Sequence, residues 1–523
     1  MSVAASSDAP ARAFSQSRER AQLMRRLASP WLTLSLVVVA ALQQMAGHLD
    51  CDVSWFLTFA EKFLDGEVPY VDVTDPNPPL AFLSLAPALA LARLLRLPAE
   101  SVVSALVFLF AFVSIGLCAL VFRHGARRSR AEWGLALNGA VFLLLLAPEI
   151  VFAEREHLAL LALAPMFALL SLQAEGARVP LALRVVAGVG AGLAIGFKPY
   201  FALPLALPVL ALAFRQRALT PLLCAEMWTS LAVVGAQLAM IWLFFPAYGA
   251  YALPVIADVY TPARDSWANL AFYSLAPFNA ALLVGLVCAA ATGFSTPPVA
   301  RGFVAPGATK VCALASIGFL VTFFLQGKGW INHAYPGIAL ALLAWIFFAL
   351  DRNPRIVAAS RGPGFKFLFV PILLAAPVLF SVQTQVTNAP EHPGLREAIE
   401  RVAPAHPRVI AMARQLDFGH PVTRQLGGAW VGRPNALWVS SFASQLLKTA
   451  TDPARRARLE EFRRRDLEGF AKDMRAGRPD VVIVEDKATR DWVEKQPETA
   501  GALDAYEKTG AAEEIEIWTR RAK

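Results

Sequence analysis

About twelve apolar runs of roughly 16–23 residues punctuate the chain, near 31–48, 79–97, 101–122, 132–148, 157–173, 181–197, 199–214, 226–246, 269–292, 309–326, 334–350 and 366–382. At about 1.5 Å rise per residue, such a run matches the hydrocarbon core of a bilayer. Lipid offers backbone groups no partners, so these segments must be helical. The fold class is therefore a polytopic α-helical membrane protein. The balance of 56% hydrophobic to 17% charged residues over 523 positions agrees, as does the mean hydropathy of +0.48, since a soluble chain would carry more charge. The net charge of +9 sits largely on arginines of short loops. It reads as an orientation signal and gives no reason to expect nucleic acid as a partner.

Orientation follows from where those arginines fall. With the tail 1–30 in the cytoplasm (Arg12, Arg18, Arg20, Arg25, Arg26), twelve crossings would put Arg123, Arg127, Arg128 and Arg130 outside. The conflict vanishes if 79–97 does not cross. That segment has Pro87 in its middle, carries Arg93 and Arg96 near its end and follows an acidic loop. Eleven crossings remain, and the basic loops then face the cytoplasm. The domains expected are the tail 1–30, a membrane domain 31–382 whose first outer loop spans 50–100, and a soluble α/β domain 383–523 on the outer side. Within the last, 408–413, 436–440, 481–485 and 514–518 read as strands and 452–476 as a helix. Cys51, Cys118, Cys224, Cys288 and Cys312 are scattered, with no spacing that suggests zinc or a disulfide framework. No Walker loop or GxGxxG is present, which removes the usual sequence grounds for ATP-driven transport or a nucleotide-sugar site.

The same orientation brings the polar motifs to one face. They are the loop with Asp50, Asp52, Asp65, Asp72 and Asp75; Glu154-Arg155-Glu156-His157; Lys198-Pro199-Tyr200; the stretch with Asp258, Tyr260, Arg264 and Asp265; and Gly327-Lys328-Gly329-Trp330-Ile331-Asn332-His333-Ala334-Tyr335-Pro336. Carboxylates beside lipid are costly unless solvated, paired or used. Asp52 opens an amphipathic stretch (Trp55, Phe56, Phe59, Phe63) that would lie flat on the interface and hold the carboxylate at headgroup depth. From there it could take a proton from an attacking hydroxyl. Arg155 offers a bidentate phosphate contact and Lys198 a point charge. Lys328, His333 and Tyr335 gather donors before a late span. Each motif also has a plain reading: solvated loop acids, a charged helix cap, a snorkelling lysine, interfacial belt aromatics.

Asp52–Tyr70 (DVSWFLTFAEKFLDGEVPY), followed by Asn77-Pro78-Pro79-Leu80, resembles the first outer loop of the GT-C class of polyprenyl-phosphate-sugar-dependent glycosyltransferases. The pattern is similar to the protein O-mannosyltransferases and the lipid A aminoarabinose transferases. The shared features are an opening Asp, the Ala60/Leu64/Gly66 spacing and the closing Pro-Pro-Leu. Val53 and Asn77 depart from the usual residues. The resemblance implies a bacterial inner-membrane glycosyltransferase with a polyprenyl-phosphate-sugar donor and a glycolipid, polysaccharide or protein acceptor. It implies Asp52 as the catalytic base, with Glu154 or Glu156 as a second acidic residue. Arg155, His157, Lys198, Tyr200, Lys328, His333 and Tyr335 would bind the lipid phosphate or sugar. Asp50, Tyr70, Asp72, Asp75 and Asn77 would be acceptor-side or architectural. The N-terminus would be cytoplasmic and the C-terminal domain periplasmic. No organic cofactor is indicated, and the carboxylates would suit a divalent metal. A transporter or flippase of lipid-linked sugars is the competing reading. It would need polar groups near the membrane midplane, often with internal repeats, and the spans hold few such groups and show no clear repeat.

Overall fold

The computed structural model describes residues 26–46, 49–125, 130–275, 306–351 and 392–521. The expected span 366–382, most of 269–292, the boundary at 382/383, Cys288 and the arginines at 12–25, 127–128, 301, 352, 355 and 361 lie outside these residues.

Among the described residues, five helices are long and apolar enough to cross a membrane: Ala99–Phe122, Arg155–Gln173, Pro199–Gln216, Ala225–Phe244 and Gly307–Gln326. Shorter apolar helices at Pro30–Met45, Trp133–Leu146, Leu181–Phe197 and Ile331–Phe347 join them. Segment 79–97 is broken by a turn into Leu80–Leu83 and Ala86–Leu95. The longer piece has 10 residues, about 15 Å of helix, half of a hydrocarbon core. Arg155–Gln173 is buried along almost its whole length and forms the axis of the bundle. Ala225–Phe244 lies at the rim, with Trp228, Leu238, Trp242 and Phe244 exposed, as suits a lipid-facing helix.

Close packing around the axis depends on small residues. A Cβ at Gly190 would lie 2.3 Å from the Ala162 carbonyl oxygen, and one at Gly188 would lie 2.4 Å from that of Glu226. Helix Leu181–Phe197 can therefore touch backbone on both sides, the way small residues act between membrane helices.

The C-terminal region carries a five-stranded sheet in the order β2-β1-β3-β5-β4. The strands are β1 (Arg408–Met412), β2 (Ala429–Trp430), β3 (Val481–Val484), β4 (Tyr506–Ala512) and β5 (Ile515–Arg520). The β1 strand runs parallel to β2 and β3, and β5 pairs antiparallel with β3 and β4. The expected strands at 408–413, 481–485 and 514–518 are present, and the helix near 452–476 runs Pro453–Gly477. Residues 436–440 are not a strand. They lead into helix Trp438–Leu447, whose Val439 and Ala443 bury one helical turn apart. A short apolar run does not separate the two periods, and here the helical one wins.

Helix Ala99–Phe122 orients the molecule. Glu100 at its start bonds Arg424 of the C-terminal region, and Arg123 follows its other end. Its 24 residues span about 36 Å, so the sheet region and the Arg123 loop sit at opposite ends of the bundle.

Candidate functional site

The loop helix Cys51–Leu64 starts on Asp50, whose Oδ1 accepts the Asp52 N–H at 2.8 Å. Its apolar face does not rest on lipid as expected. Trp55, Phe56 and Phe59 are almost fully buried against protein. Phe59 stacks on Phe82 at 4.3 Å, Trp55 meets His420 at 5.3 Å, and Phe56 lies 4.7 Å beneath the Arg155 guanidinium. A bare interface would leave this helix free to slide, whereas packing on two sides fixes Asp52.

Asp75 and Asp72 shape the loop. Asp75 is buried and accepts from Trp55 Nε1 at 2.8 Å, from the Asn77 N–H at 2.7 Å and from Asn77 Nδ2 at 2.8 Å. Asp72 accepts the Val68 N–H at 2.9 Å. The Tyr70 hydroxyl donates to the Asn77 carbonyl at 2.8 Å. Asn77 thus bonds both Tyr70 and Asp75, while Asp72 closes the neighbouring turn on Val68.

The second element is the turn 149–154 before helix Arg155–Gln173. Glu149 and Ala153 take positive φ of 46° and 67°, a conformation that non-glycine residues adopt at a cost when surrounding structure demands it. The turn leaves Glu154 at the helix N-cap without a capping bond. Its carboxylate instead faces Asp50 and Asp52, and carboxylate oxygens of the three lie within 4.8 Å of one another. That spacing would suit a divalent cation held by oxygen ligands. Arg155 donates to Asp52 and stands 3.8 Å from Glu154. Burial pushes the Asp52 carboxyl up to about 6, against the pull of Arg155 and with added push from Asp50 and Asp75.

A second cluster adjoins the first. The Lys198 ammonium reaches Glu156 Oε1 at 2.5 Å, Gln326 Oε1 at 3.0 Å and His333 Nε2 at 3.0 Å. His333 Nε2 is also 3.5 Å from Glu156. Lys328 donates to the Tyr260 carbonyl at 2.5 Å and to that of Ala263, and lies 4.1 Å over the Tyr260 ring. Burial, with Arg264 nearby, lowers its ammonium to about 7.

The expected residues thus divide. Asp52, Glu154, Arg155, Glu156, Lys198 and His333 come together, and Lys328 borders them. Glu154 belongs to the Asp52 group and Glu156 to the Lys198 group. His157 and Tyr335 are committed elsewhere. His157 Nδ1 accepts the Ala153 N–H at 3.2 Å, so its Nε2 carries the proton and donates to the Leu144 carbonyl at 2.8 Å. The Tyr335 hydroxyl donates to the Leu143 carbonyl. Tyr200 is half-buried and accepts from Thr322 through its backbone carbonyl at 3.1 Å. Sequence reasoning missed Gln326, although a lone amide ending an apolar run before Gly-Lys-Gly was a visible signal.

The clusters are incompletely satisfied. Glu154 Oε1 and Oε2, Arg155 Nε, Glu156 Oε2, Gln326 Nε2 and His333 Nδ1 are buried without a hydrogen-bond partner. Buried polar atoms are ordinarily paired, and leaving one unpaired costs about 1–3 kcal/mol. Six such atoms on five neighbouring residues leave this polar cluster with hydrogen-bonding capacity to spare.

No family model matches the chain, and no curated protein matches it. Solved structures do, among them two crystal structures of ArnT from Cupriavidus metallidurans. The form bound to undecaprenyl phosphate is 14% identical, covers 94% of this chain and 98% of its own, and superposes with a TM-score of 0.55. The apo form is 13% identical, covers 93% and 97%, and has the same TM-score. The chain therefore shares its fold, membrane helices and C-terminal region together, with a GT-C lipid A aminoarabinose transferase.

Proposed function

We propose that this chain is an integral membrane glycosyltransferase of bacterial inner membranes that moves a sugar from a polyprenyl-phosphate donor to an acceptor at the outer face. The observation that carries the reading is the pair of unsatisfied polar clusters, set at the end of an ArnT-like bundle beside the C-terminal region. The acceptor would be a glycolipid, a polysaccharide or a protein.

Asp52 is the base. With its pKa near 6 it is ionised at neutral pH and basic enough to accept a proton in the transition state. It takes the proton of the acceptor hydroxyl while that oxygen attacks the anomeric carbon. The bond from that carbon to the phosphate oxygen breaks, and polyprenyl phosphate leaves with the electron pair. A single displacement of this kind inverts the anomeric centre. Charge grows on the leaving phosphate, so fixed cations beside it act where the transition state needs them. Lys198 and Lys328 serve there as cations and the neutral His333, whose Nε2 accepts from Lys198, as an N–H donor through Nδ1; Glu156 holds Lys198 in place, and Arg155 steadies Asp52 as a carboxylate. Glu154, uncommitted and close to Asp52, orients the acceptor hydroxyl.

The test is mass spectrometry of envelope glycans and lipid-linked sugars from cells lacking the chain. Loss of one sugar from an envelope product, together with a rise in the matching polyprenyl-phosphate sugar, is expected. An unchanged envelope and an unchanged lipid pool would refute the proposal.

A further inference from the structure

Segment 246–265 joins the membrane helices to the site, and the C-terminal region holds it from outside. Val255 and Val259 share one apolar cluster with Val439, Ala443, Ala450 and Leu459. Arg458 reaches Asp258 at 3.6 Å. At the centre of this contact the Tyr260 ring meets two groups: the Lys328 ammonium at 4.1 Å from its centroid and Trp438, in a T-shaped contact at 6.0 Å. Phe442, one turn along helix Trp438–Leu447, sets its own ring 5.0 Å from the same ammonium.

An ammonium has three N–H donors. Among the described residues, Lys328 gives two of them to the carbonyls of Tyr260 and Ala263 and meets no carboxylate. Two carbonyls and two aromatic faces hold the cation in place without neutralising it, which suits an anion approaching from the remaining side. The Tyr260 hydroxyl stands within electrostatic reach of Arg155, Asp52 and Glu156. The C-terminal region also grips the opposite wall, where Trp55 meets His420 and Arg424 bonds Glu61 at 2.5 Å and Glu100 at 2.7 Å. One region thus touches the loop helix that carries Asp52 and the segment that carries Tyr260.

Building on the transferase reading, we infer that helix Trp438–Leu447 is the outer wall of the phosphate-binding half of the site, with Trp438 and Phe442 as positioning residues for Tyr260 and Lys328. The ligand chemistry is that of a lipid phosphate monoester. The C-terminal region then completes the binding site and does more than cap the bundle.

The experiment uses the purified full chain in detergent and measures the Kd for undecaprenyl phosphate. Trp438→Leu, Tyr260→Leu, Phe442→Leu and Lys328→Met are each expected to weaken binding roughly threefold to tenfold. Coupling is the decisive readout. Trp438→Leu should lose nothing further in the Tyr260→Leu background, nor Phe442→Leu in the Lys328→Met background. Trp438→Phe, which keeps an aromatic edge, should restore most of the affinity. Unchanged elution volume and melting midpoint mark variants that fold, and the Phe442 pair tests the wall independently if a Trp438 variant fails. Wild-type affinity in Trp438→Leu and Phe442→Leu, or losses that multiply in both double variants, would overturn the inference while leaving the transferase reading intact. A wild-type chain that binds no undecaprenyl phosphate would overturn both.

Discussion

Replacing Arg155 by Met removes the cation that bonds Asp52 and approaches Glu154. Two unit charges about 4 Å apart interact by about 4 kcal/mol at an effective dielectric near 20. Asp52 keeps 18% of its side-chain surface exposed, so water screens part of this, and about 1.4–2.8 kcal/mol is a fair share. That equals roughly one to two pKa units. Arg155 lowers the Asp52 pKa, so its loss raises the value from about 6 to roughly 7–8. A general base acts only when ionised, and activity therefore falls as pH drops through this value. At pH 7 the ionised share of Asp52 should fall from roughly nine-tenths to between a half and a tenth. The assay is sugar transfer against pH at saturating donor, where bound phosphate keeps Lys328 charged. The acid limb should move upward by one to two units, with the loss shrinking toward pH 9. An acid limb that stays put, or moves down, would refute the pairing of Arg155 with a catalytic Asp52.

Three further outcomes follow from the same contacts. Lys198→Met strands the fully buried Glu156 and should destabilise the protein by about 3–5 kcal/mol; adding Glu156→Gln should recover the melting midpoint but not the transfer rate. Arg424→Ala cuts the bonds to Glu61 and Glu100, whose carboxylates are partly exposed, at a cost of about 1–2 kcal/mol; limited proteolysis should then release a C-terminal fragment that the parent retains. His124→Cys, on an exposed position beside Arg123 in a chain stripped of its other cysteines, should resist a membrane-impermeant thiol reagent in intact cells and react after permeabilisation. Labelling in intact cells would reverse the assigned orientation.

Much of this arrangement was legible from residue order. Runs of apolar residues announce membrane helices because lipid leaves the backbone no other choice. The basic loops, with the proline and arginines of 79–97, kept that segment from being counted as a crossing. What periodicity could not show was the partner of each polar side chain. His157 and Tyr335 look like ligands in a list of residues, yet each is occupied by a backbone carbonyl, and only the packing of helix Arg155–Gln173 against its neighbours reveals that. Trp55 and Phe56 read as an interfacial face, but the surface covering them comes from His420 and Arg155, remote in sequence. The same distance hid the choice between Glu154 and Glu156, which are two residues apart and turn toward different clusters. In the C-terminal region, β4 escaped notice because Tyr506–Ala512 is polar and largely exposed, and β2 because its two residues carry no period.

Transfer in detergent solution is the most direct test of the central claim, because micelles have no two sides between which a transporter could act. Purified chain would be mixed with lipid-linked sugars and acceptor membranes extracted from cells lacking it. Wild-type protein should move the sugar onto the acceptor and release polyprenyl phosphate, both seen by mass spectrometry. Asp52→Asn, folded to the same melting midpoint, should do neither. Equal transfer by Asp52→Asn would remove Asp52 from the chemistry, and no transfer by the wild type would contradict the enzyme itself.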